Sequence, residues 1–389
     1  MSMSLLSKIR RKLAWELRQT IAAPARLANF LFANSYHDLI LSRRRKTTDG
    51  DVRRTSRIAI VLIFPRFGVE PSHVRTLRYL VEKGYAPVVV SNIHLSDLDR
   101  ITVTKTCWRL IERPNFGYDF GGYRDGILSL GDDLGQLERL VLLNDSCWFP
   151  LPASSDWLDD AAALNVDFAG AASNYGVTPQ KVGCYEYPVW SYRSDNPDFH
   201  YCSFALLISG ALLHDPRFRR FWKRFPLSND KYQVIRRGEV GLTQWVLRHG
   251  FSHGSTLDIT HLDAELNTCS VTRLLRIVQQ LIIPEEAELR IAKSSLVARY
   301  DASENWRKDA VGFILTAVAQ TGVAYVLPEY TVRDRGFPFL KKSPLWLDED
   351  SAESTLEIAR GLDGAEGAQI LAEARELRVR GRKAVQSAL

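Results

Sequence analysis

The stretch from Arg113 to Asp125 is the part of the sequence richest in polar side chains and glycines. It reads Arg-Pro-Asn-Phe-Gly-Tyr-Asp-Phe-Gly-Gly-Tyr-Arg-Asp and stands between a predicted strand and a predicted helix. Its glycines permit a ligand to approach the backbone closely, and Asn115 and Asp119 can hydrogen-bond a base or a ribose. The alternative is a turn in which Asp119 caps the helix, and the spacing alone leaves both interpretations open.

A second polar group, Asn144-Asp145-Ser146, follows an apolar run that is typical of a buried strand. A carboxylate at the end of such a strand can hold a divalent cation (Mn²⁺ or Mg²⁺) that bridges a diphosphate, because hard cations prefer oxygen ligands. Asp145 could equally be a cap for the turn that follows. Ser91-Asn92 ends another apolar run in the same way.

Several well-known catalytic motifs are absent from the sequence. It contains no GxSxG, P-loop or HExxH pattern, and the first predicted strand ends in Phe-Pro-Arg-Phe-Gly instead of a GxGxxG turn. The five cysteines form no CxxC pair. We therefore expect neither a zinc site nor a disulfide framework, but free thiols in a reducing compartment.

An alternation of predicted strands and helices must position the polar groups. The predicted strands are 58–64, 87–90, 108–112 and 139–143, and the predicted helices run from Pro71 to a stop at Gly84 and from Tyr123 to Leu130. This succession predicts an α/β fold with an open, mostly parallel sheet flanked by helices, in which ligands bind beyond the carboxyl ends of the strands. The polar groups 91–92, 115–119 and 144–146 stand at those ends.

The remaining sequence predicts further helices and a loop rich in aromatic residues. Helices are predicted at 156–164, 216–225 and 231–249, strands at 168–172 and 203–209, an aromatic loop at 174–200, and mainly helical structure from 272 to 326. We divide the chain into an N-terminal helix and linker (1–57), a first half (58–173), a second half with a helical insert (174–345) and C-terminal helices (346–389).

Positive charge is concentrated at the N-terminus. Residues 1–57 hold 13 Lys and Arg against four Asp and Glu, whereas the rest of the chain holds 38 against 41. The basic residues of the tail accompany apolar residues at helical spacing, which predicts an amphipathic helix on an anionic membrane surface or, alternatively, a helix packed on its own domain. The rest of the chain has no net positive charge, which argues against nucleic acid as a partner. With no signal peptide and no spanning apolar run, we expect a cytoplasmic protein.

Taken together, five motifs resemble the rhamnan synthesis protein F family. They are Arg113-Pro114-Asn115-Phe116-Gly117-Tyr118-Asp119, Leu142-Leu143-Asn144-Asp145-Ser146, His200-Tyr201-Cys202-Ser203-Phe204, Glu239-Val240-Gly241-Leu242 and Pro338-Phe339-Leu340-Lys341. The similarity runs from about Ile58 to Lys341. One departure is Cys202, which stands where the family pattern leads us to expect Gln before the serine.

The family is regarded as glycosyltransferases that assemble bacterial rhamnose-rich polysaccharide, capsule and O-antigen. The resemblance implies a GT-A-like fold, a nucleotide-sugar-binding half over 58–173 and an acceptor-binding half over 174–345. It implies that Asn115 and Asp119 contact the nucleotide, that Asp145 takes the place of the metal-binding aspartate of a DxD motif, and that Lys341 neutralises the leaving diphosphate. The predicted substrate-binding residues are Ser91, Asn92, Arg113, Asn115, Gly117, Tyr118, Asp119, Asn144, Asp145, Ser146, Trp190, Ser203 and Lys341.

Sugar transfer needs a base that takes the proton of the acceptor hydroxyl. Glu239 is the first candidate, with His200 and Asp195 of the aromatic loop as alternatives. The loop also holds Tyr185, Tyr187, Trp190 and Tyr192, whose flat apolar faces suit sugar rings.

The sequence therefore predicts a glycosyltransferase peripheral to the inner face of the bacterial cytoplasmic membrane. It would move rhamnose or another deoxyhexose from a nucleotide-diphosphate donor to a lipid-linked glycan. Two alternatives stay open: a non-catalytic sugar-binding or scaffold subunit of a polysaccharide assembly complex, and another nucleotide-dependent enzyme on the same kind of sheet, such as a methyltransferase.

Overall fold

The apolar run over residues 58–63 forms most of an inner strand of an eight-stranded sheet. The computed structural model describes residues 32–179, 189–284 and 287–386. The amphipathic tail predicted over the first 31 residues lies outside the described residues, as do Tyr185 and Tyr187. The strands in chain order are β1 (Lys46–Asp49), β2 (Arg57–Ile63), β3 (Ala86–Ser91), β4 (Arg109–Glu112), β5 (Arg139–Asn144), β6 (Cys147–Trp148), β7 (Phe168–Gly170), β8 (Ser173–Asn174), β9 (His200–Tyr201), β10 (Ala205–Ser209), β11 (His253–Ser255) and β12 (Leu340–Lys341).

The main sheet has the order β1-β4-β3-β2-β5-β10-β7-β11. Strands β2 to β5 run parallel to one another, and β11 runs parallel to β7. Strand β10 is antiparallel to both of its neighbours, β5 and β7, and the edge strand β1 is antiparallel to β4. The predicted α/β class with an open, mostly parallel sheet is confirmed, and the sheet crosses the predicted boundary at 173.

Helices cover both faces of the sheet and make up the C-terminal region. They are α1 (32–39), α2 (Pro71–Glu82), α3 (Asp97–Thr104), α4 (Tyr118–Ser129), α5 (Trp157–Ala163), α6 (Gly210–His214), α7 (Pro216–Arg224), α8 (Lys231–Ile235), α9 (Gly241–Arg248), α10 (Leu262–Thr268), α11 (Val271–Gln280), α12 (Ala287–Ala298), α13 (Glu304–Thr321), α14 (Val323–Val326), α15 (Pro328–Arg333), α16 (Glu349–Arg360) and α17 (Gly364–Gln386). Single turns of 3₁₀ helix lie at Leu41–Arg44, Gly131–Gln136 and Ser343–Trp346, and a π-helical turn lies at Arg236–Val240. In the described parts of the chain, no helix combines the length and apolarity needed to cross a bilayer.

Alternate residues of β2 face two different hydrophobic cores. Ile60 belongs to the core built with α4, α7 and α9, whereas Val61 belongs to the core built with α2, α5, α11 and α13. Both side chains are almost fully buried. Burying a Val or Ile side chain stabilises a fold by about 1.5–3 kcal/mol, which explains why this run contains no polar residue.

The glycines of the polar stretch allow α4 to pack closely on the sheet. A Cβ atom on Gly122 would lie 2.3 Å from Leu62, and one on Gly126 would lie 2.8 Å from Ile60. A Cβ atom on Gly121 would meet the Phe116 carbonyl oxygen at 2.2 Å. The expected close approach of a ligand to Gly121-Gly122 is therefore wrong, because the protein's own strand and loop occupy that space.

The segment that the sequence predicts to be a linker, up to residue 57, belongs to the folded body. Residues 46–49 form β1, and α1 packs on α4 through side-chain contacts of Asp38 with Arg124 and of His37 with Asp125. This segment is charged and has no apolar periodicity, which is typical of a linker. An edge strand such as β1 can nevertheless form there, because it needs backbone hydrogen bonds on one side only and no buried apolar face. The thiols of Cys107, Cys147, Cys202 and Cys269 are free, as predicted.

Candidate active site

The two residues at the end of β5 direct their side chains to opposite sides of the sheet, as successive residues of a strand do. The amide of Asn144 donates a hydrogen bond to Asp119 on α4 at 2.9 Å. Asp145 instead faces α2, where its Oδ2 lies 3.4 Å from Nε2 of His73. The predicted polar groups after β4 and β5 are thus brought together around one edge of the sheet.

Asp119 stands in the first turn of α4 and is partly buried. Burial raises its pKa to about 6, and the negative charges of Asp145 and Glu239 act in the same direction. The positive charge of Lys341 and the hydrogen bond from Asn144 oppose the increase without cancelling it. The charges of two other carboxylates therefore disfavour the ionised form of Asp119, and a bound cation would favour it.

Asp145 is held in place by two donors on its Oδ2 atom. The backbone amide of Phe64 donates at 2.6 Å, and His73 is the second donor. The amide of Glu70 donates to Nδ1 of His73 at 2.9 Å, so the proton of a neutral His73 ring must lie on Nε2, the atom that faces Asp145. Burial alone would raise the pKa of Asp145, but His73, Lys342 and the Phe64 amide outweigh burial and hold it below the usual range.

Glu239 lies in the π-helical turn between α8 and α9, where the sequence predicts a continuous helix. Its Oε1 accepts hydrogen bonds from the hydroxyl and, at 3.4 Å, from the backbone amide of Ser203. The preceding Gly238 packs against the Phe120 ring, where an added Cβ would come within 2.3 Å. A π-helical turn places one extra residue in a helix, and such turns are frequent at functional sites.

His200 approaches the same carboxylate from β9. Its Nδ1 donates to the carbonyl of Asp198 at 2.8 Å, and its Nε2 lies 3.5 Å from Oε2 of Glu239. Nδ1 donates its proton to the hydrogen bond with the carbonyl, so Nε2 is the ring nitrogen that faces Glu239. The structure thus joins three predicted residues, His200, Ser203 and Glu239.

Lys341 reaches the site through a two-stranded ribbon. Strand β12 pairs with β6 so that Lys341 lies opposite Cys147, next to the Asn144-Asp145-Ser146 turn. Its ammonium group donates to the Ser146 hydroxyl at 3.2 Å and lies 4.0 Å from the centre of the Phe204 ring. Ser146 in turn donates to Oδ1 of Asn144 at 2.6 Å. A chain of hydrogen bonds therefore connects this cation with Asp119.

A cavity of about 480 Å³ opens beside Asp145 and Ser146, within the size range of small-molecule sites. Its wall includes the loop after β2, α2 and the C-terminal region; the lining residues are Phe64, Pro65, Arg66, Phe67, Gly68, Glu70, His73, Asp145, Ser146, Lys342, Ser343, Trp346, Leu377 and Gly381. The sequence analysis did not select His73, Lys342 or the residues of the loop after β2. The only available signal was the Phe-Pro-Arg-Phe-Gly stretch at the carboxyl end of the first strand.

Three predicted binding residues lie instead in a separate buried network. Arg113 is 1% exposed, and its guanidinium donates to Asp125 at 2.6 Å, to Asn92 at 2.5 Å and to the Phe116 carbonyl at 2.5 Å. Ser91 donates to the backbone carbonyl two residues further on. The structure does not bring Ser91, Asn92 and Arg113 to the carboxylates, because their polar atoms hold the sheet edge together.

The residues from Asn115 to Tyr118 form the turn that leads into α4. Asn115 and Tyr118 are exposed, and the amide of the buried Gly117 donates to Asn229 at 2.8 Å. Gly117 and Tyr118 both have positive φ, +82° and +48°. This left-handed turn starts α4 five residues earlier than the predicted Tyr123, and it aligns Asp119 with Asn144.

Two residues of the predicted aromatic loop lie away from the cluster. Asp195 is 64% exposed at its side chain and pairs with Arg193, which lowers its pKa. The indole of Trp190 donates to the Ile259 carbonyl at 2.8 Å and packs against the hydrophobic core. The structure does not join either residue to Glu239.

Asp145 can hold a divalent cation only if a bound ligand supplies further oxygen atoms to the cation. Among the described residues, no group of three or more His, Cys, Asp and Glu side chains is arranged to hold a metal ion. However, Asp145 lines the cavity and uses Oδ2 for its hydrogen bonds with the protein. One carboxylate is enough for Mg²⁺ or Mn²⁺ where phosphate oxygens and water complete the coordination sphere, so the site fits such a cation as a partner of a bound diphosphate.

Sequence comparison finds one family and several relatives. The family model described as rhamnan synthesis protein F matches residues 87–285. The protein y4gN of Sinorhizobium fredii (strain NBRC 101917 / NGR234) is 32% identical over 220 residues, which are 56% of this chain and 53% of that relative. The virulence protein VirA of Vibrio anguillarum (strain ATCC 68554 / 775) is 40% identical over 80 residues, 19% of this chain and 25% of the relative. The chain thus spans about half the length of the first relative and a quarter of the second.

Comparison with solved structures finds a mannosyltransferase of Pyrobaculum calidifontis, PcManGT, solved in complex with GDP-Man and Mn²⁺. The match covers 92% of this chain and 91% of that chain, with 12% sequence identity and a TM-score of 0.32.

Proposed function

The chain belongs to the rhamnan synthesis protein F family, and on that premise we propose that it is a glycosyltransferase that moves a sugar from a nucleotide-diphosphate donor to an acceptor hydroxyl. The observation that carries the proposal is the meeting of Asp119, Asp145, Glu239 and Lys341. These residues come from four distant segments of the chain and meet at the carboxyl edge of the parallel strands. A GT-A-like arrangement with a donor half and an acceptor half is part of the same proposal.

The donor is proposed to occupy the cavity beside Asp145. Phe64, Phe67 and Trp346 offer apolar surface to a base or a ribose, and Asp145 and Ser146 border the diphosphate end. A divalent cation held by Asp145 would balance the diphosphate charge. Lys342 lines this cavity, but its ammonium group is paired with a buried carboxylate of α17. Lys341 is not part of the lining but donates to the hydroxyl of Ser146, which is, so we assign the leaving diphosphate to Lys341.

Glu239 is proposed to act as the base. Its carboxylate accepts a hydrogen bond from Ser203 and lies beside His200, so it has a fixed orientation. On attack, the acceptor oxygen forms the new bond to the anomeric carbon and its proton passes to Glu239. The bond between the anomeric carbon and the diphosphate breaks, and the positive charge of Lys341 stabilises the departing oxygen.

The finer assignments rest on the family description and the family resemblance. We propose rhamnose or another deoxyhexose as the donor sugar and a lipid-linked polysaccharide or O-antigen glycan as the acceptor. The location proposed is the cytoplasm, at the inner face of the bacterial cytoplasmic membrane.

A thermal-shift screen against dTDP, UDP, GDP and CMP, each with and without Mn²⁺ or Mg²⁺, tests donor binding. A nucleotide at 100 times its dissociation constant stabilises the folded state by about 2.7 kcal/mol. Asp145→Asn should lose the stabilisation, whereas Asp160→Asn, on the exposed side of α5, should keep it. No stabilisation by any nucleotide would contradict the proposal.

The sugar-binding or scaffold alternative is favoured by one observation, the single carboxylate in Asn144-Asp145-Ser146 where a DxD motif has two. Slow hydrolysis of the donor in the absence of acceptor separates the two functions, because a binding subunit stabilised by a nucleotide sugar would release no nucleotide diphosphate.

The proposed anionic membrane partner is tested by two deletions. Each basic residue near such a surface contributes only about 1 kcal/mol, so several must act together. Deleting residues 1–31 should release the protein from vesicles with phosphatidylglycerol while donor binding is retained. Deleting residues 1–45 should in addition lower the melting temperature, because it removes the contacts of α1 with Arg124 and Asp125. Vesicle binding that survives the shorter deletion would contradict a role of the tail.

A further inference from the structure

Tyr175 is an aromatic residue held in an unusual backbone conformation beside the candidate base. Its φ is +57°, in the left-handed region that favours glycine, and its side chain is exposed. The chain on both sides of it is fixed. Asn174 pairs with His200 in the β8–β9 ribbon, the Gly176 carbonyl accepts a backbone hydrogen bond at 2.6 Å, and Val177 is buried. Such a conformation persists only where the surrounding structure holds it, and it is frequent at ligand sites.

The ring of Tyr175 lies against the imidazole of His200. The ring centres are 5.7 Å apart with an angle of 40° between the planes, and His200 in turn lies 3.5 Å from Glu239. His200 is itself only 4% exposed at its side chain, so Tyr175 is the solvent-facing member of this group. An exposed aromatic face therefore lies against an imidazole, and that imidazole lies 3.5 Å from a carboxylate that can accept a hydrogen bond from a hydroxyl group.

Of the aromatic residues predicted to stack on sugar rings, the two that lie among the described residues, Trp190 and Tyr192, have other partners. Trp190 donates to a backbone carbonyl and packs on the core, and the Tyr192 hydroxyl is 2.9 Å from the Ser173 hydroxyl. Tyr192 also covers Gly176, where an added Cβ would come within 2.2 Å of its ring. Tyr192 thus supports the turn that presents Tyr175, and Tyr175 is an exposed aromatic residue that lies against His200, the neighbour of Glu239.

We propose that Tyr175 is the platform on which a pyranoside acceptor stacks, with one hydroxyl of the sugar directed at Glu239. This inference rests on the proposed function, because it assigns the acceptor side of the same site. The chemistry fits a pyranoside, since the axial C–H groups of one ring face are apolar and match an aromatic ring, whereas the equatorial hydroxyls at the rim can reach the carboxylate and the imidazole.

Saturation-transfer difference NMR with methyl α-L-rhamnopyranoside, methyl α-D-mannopyranoside and methyl α-D-glucopyranoside tests the platform. Tyr175→Asn and Tyr175→Gly remove the ring, and both residues accept a positive φ, so the turn is retained. We expect at least one glycoside to bind the wild type and Tyr175→Phe, and each ring-removing variant to weaken its binding about tenfold. Tyr36→Asn, at an exposed tyrosine of α1, is the matched control and should bind like the wild type.

Nucleotide-dependent stabilisation, measured on the same samples, separates this inference from the proposed function. The platform is overturned if no glycoside binds the wild type, or if both ring-removing variants bind as tightly as the wild type. This holds whether or not a nucleotide stabilises the protein. If glycoside binding depends on Tyr175 but no nucleotide stabilises the protein, the platform is supported and the transferase proposal fails. Unchanged nucleotide stabilisation in both Tyr175 variants, together with lost glycoside binding, supports both.

Discussion

Replacing Asp119 by Asn should stabilise the protein without ligand at neutral and alkaline pH. The pKa of this carboxyl is raised to about 6, by burial first and then by the charges of Asp145 and Glu239. The folded state therefore holds a proton up to about pH 6, whereas the unfolded chain releases it near its usual pKa of 3.8. The free energy of unfolding accordingly falls as the pH rises from about 4 to about 6, and the full cost is present above that range.

The cost of ionising Asp119 is about 2–3 kcal/mol, because one pKa unit corresponds to about 1.4 kcal/mol. Asn carries no charge, and its side-chain oxygen can still accept the hydrogen bond from Asn144. We therefore expect Asp119→Asn to raise the free energy of unfolding by up to about 2–3 kcal/mol at pH 8 but by only about 1 kcal/mol at pH 4.5, where the folded state still holds the proton. The same variant should lose donor binding if the proposed function is right.

Urea denaturation in EDTA at pH 4.5 and pH 8, followed by fluorescence, measures this difference. Asp160→Asn is the matched control, because Asp160 is exposed on α5 and its replacement should change neither midpoint. Equal effects of Asp119→Asn at the two pH values, or a loss of stability at pH 8, would refute the argument that burial and neighbouring negative charges disfavour the ionised form of Asp119 in the folded state.

Three further predictions concern the π-helical turn, the base and the buried lysine. Gly238→Ala should destabilise the fold by about 1–3 kcal/mol, since its Cβ would overlap the Phe120 ring; Gly241→Ala, which meets only ordinary contacts, should be tolerated in the same denaturation assay. Glu239→Gln should lower sugar transfer by about 10²–10⁴-fold with donor affinity almost unchanged, and near-normal transfer would show that the base lies elsewhere. Lys342→Ala should lower the free energy of unfolding by about 3 kcal/mol, because it leaves a buried carboxylate on α17 without its cation; an unchanged denaturation midpoint would argue against this pair.

The sequence determined the fold class and the edge of the sheet at which the polar residues meet. Continuous β-branched runs such as 58–63 can be stable only where both faces are buried, which requires a parallel sheet covered by helices. Polar residues at the ends of these runs must then lie at the carboxyl edge. Asp119, Asn144 and Asp145 could be selected on this ground because the signal is local and repeats from strand to strand.

The same local signal selected residues that serve the fold. Ser91, Asn92 and Arg113 also follow strands, but their side chains satisfy one another and nearby carbonyls inside the protein. Whether a polar residue at a strand end faces a ligand or its own chain depends on what packs above it. The glycines of α4 are ambiguous in the same way. A glycine is needed where a ligand approaches the backbone and also where a neighbouring strand does, so the sequence does not distinguish the two cases.

Only the tertiary structure decided which distant residues complete the site. Lys341 reaches Ser146 through a ribbon that joins segments nearly 200 residues apart, and Glu239 reaches Ser203 and His200 through one π-helical turn. Family resemblance pointed to Lys341 and Glu239, whereas the composition of the aromatic loop selected Asp195 and Trp190, and these two lie apart from the cluster. The physical reason is that pairing between remote segments and the insertion of one residue in a helix leave no periodic pattern in the sequence, because both are set by the packing of side chains that meet only in the folded chain.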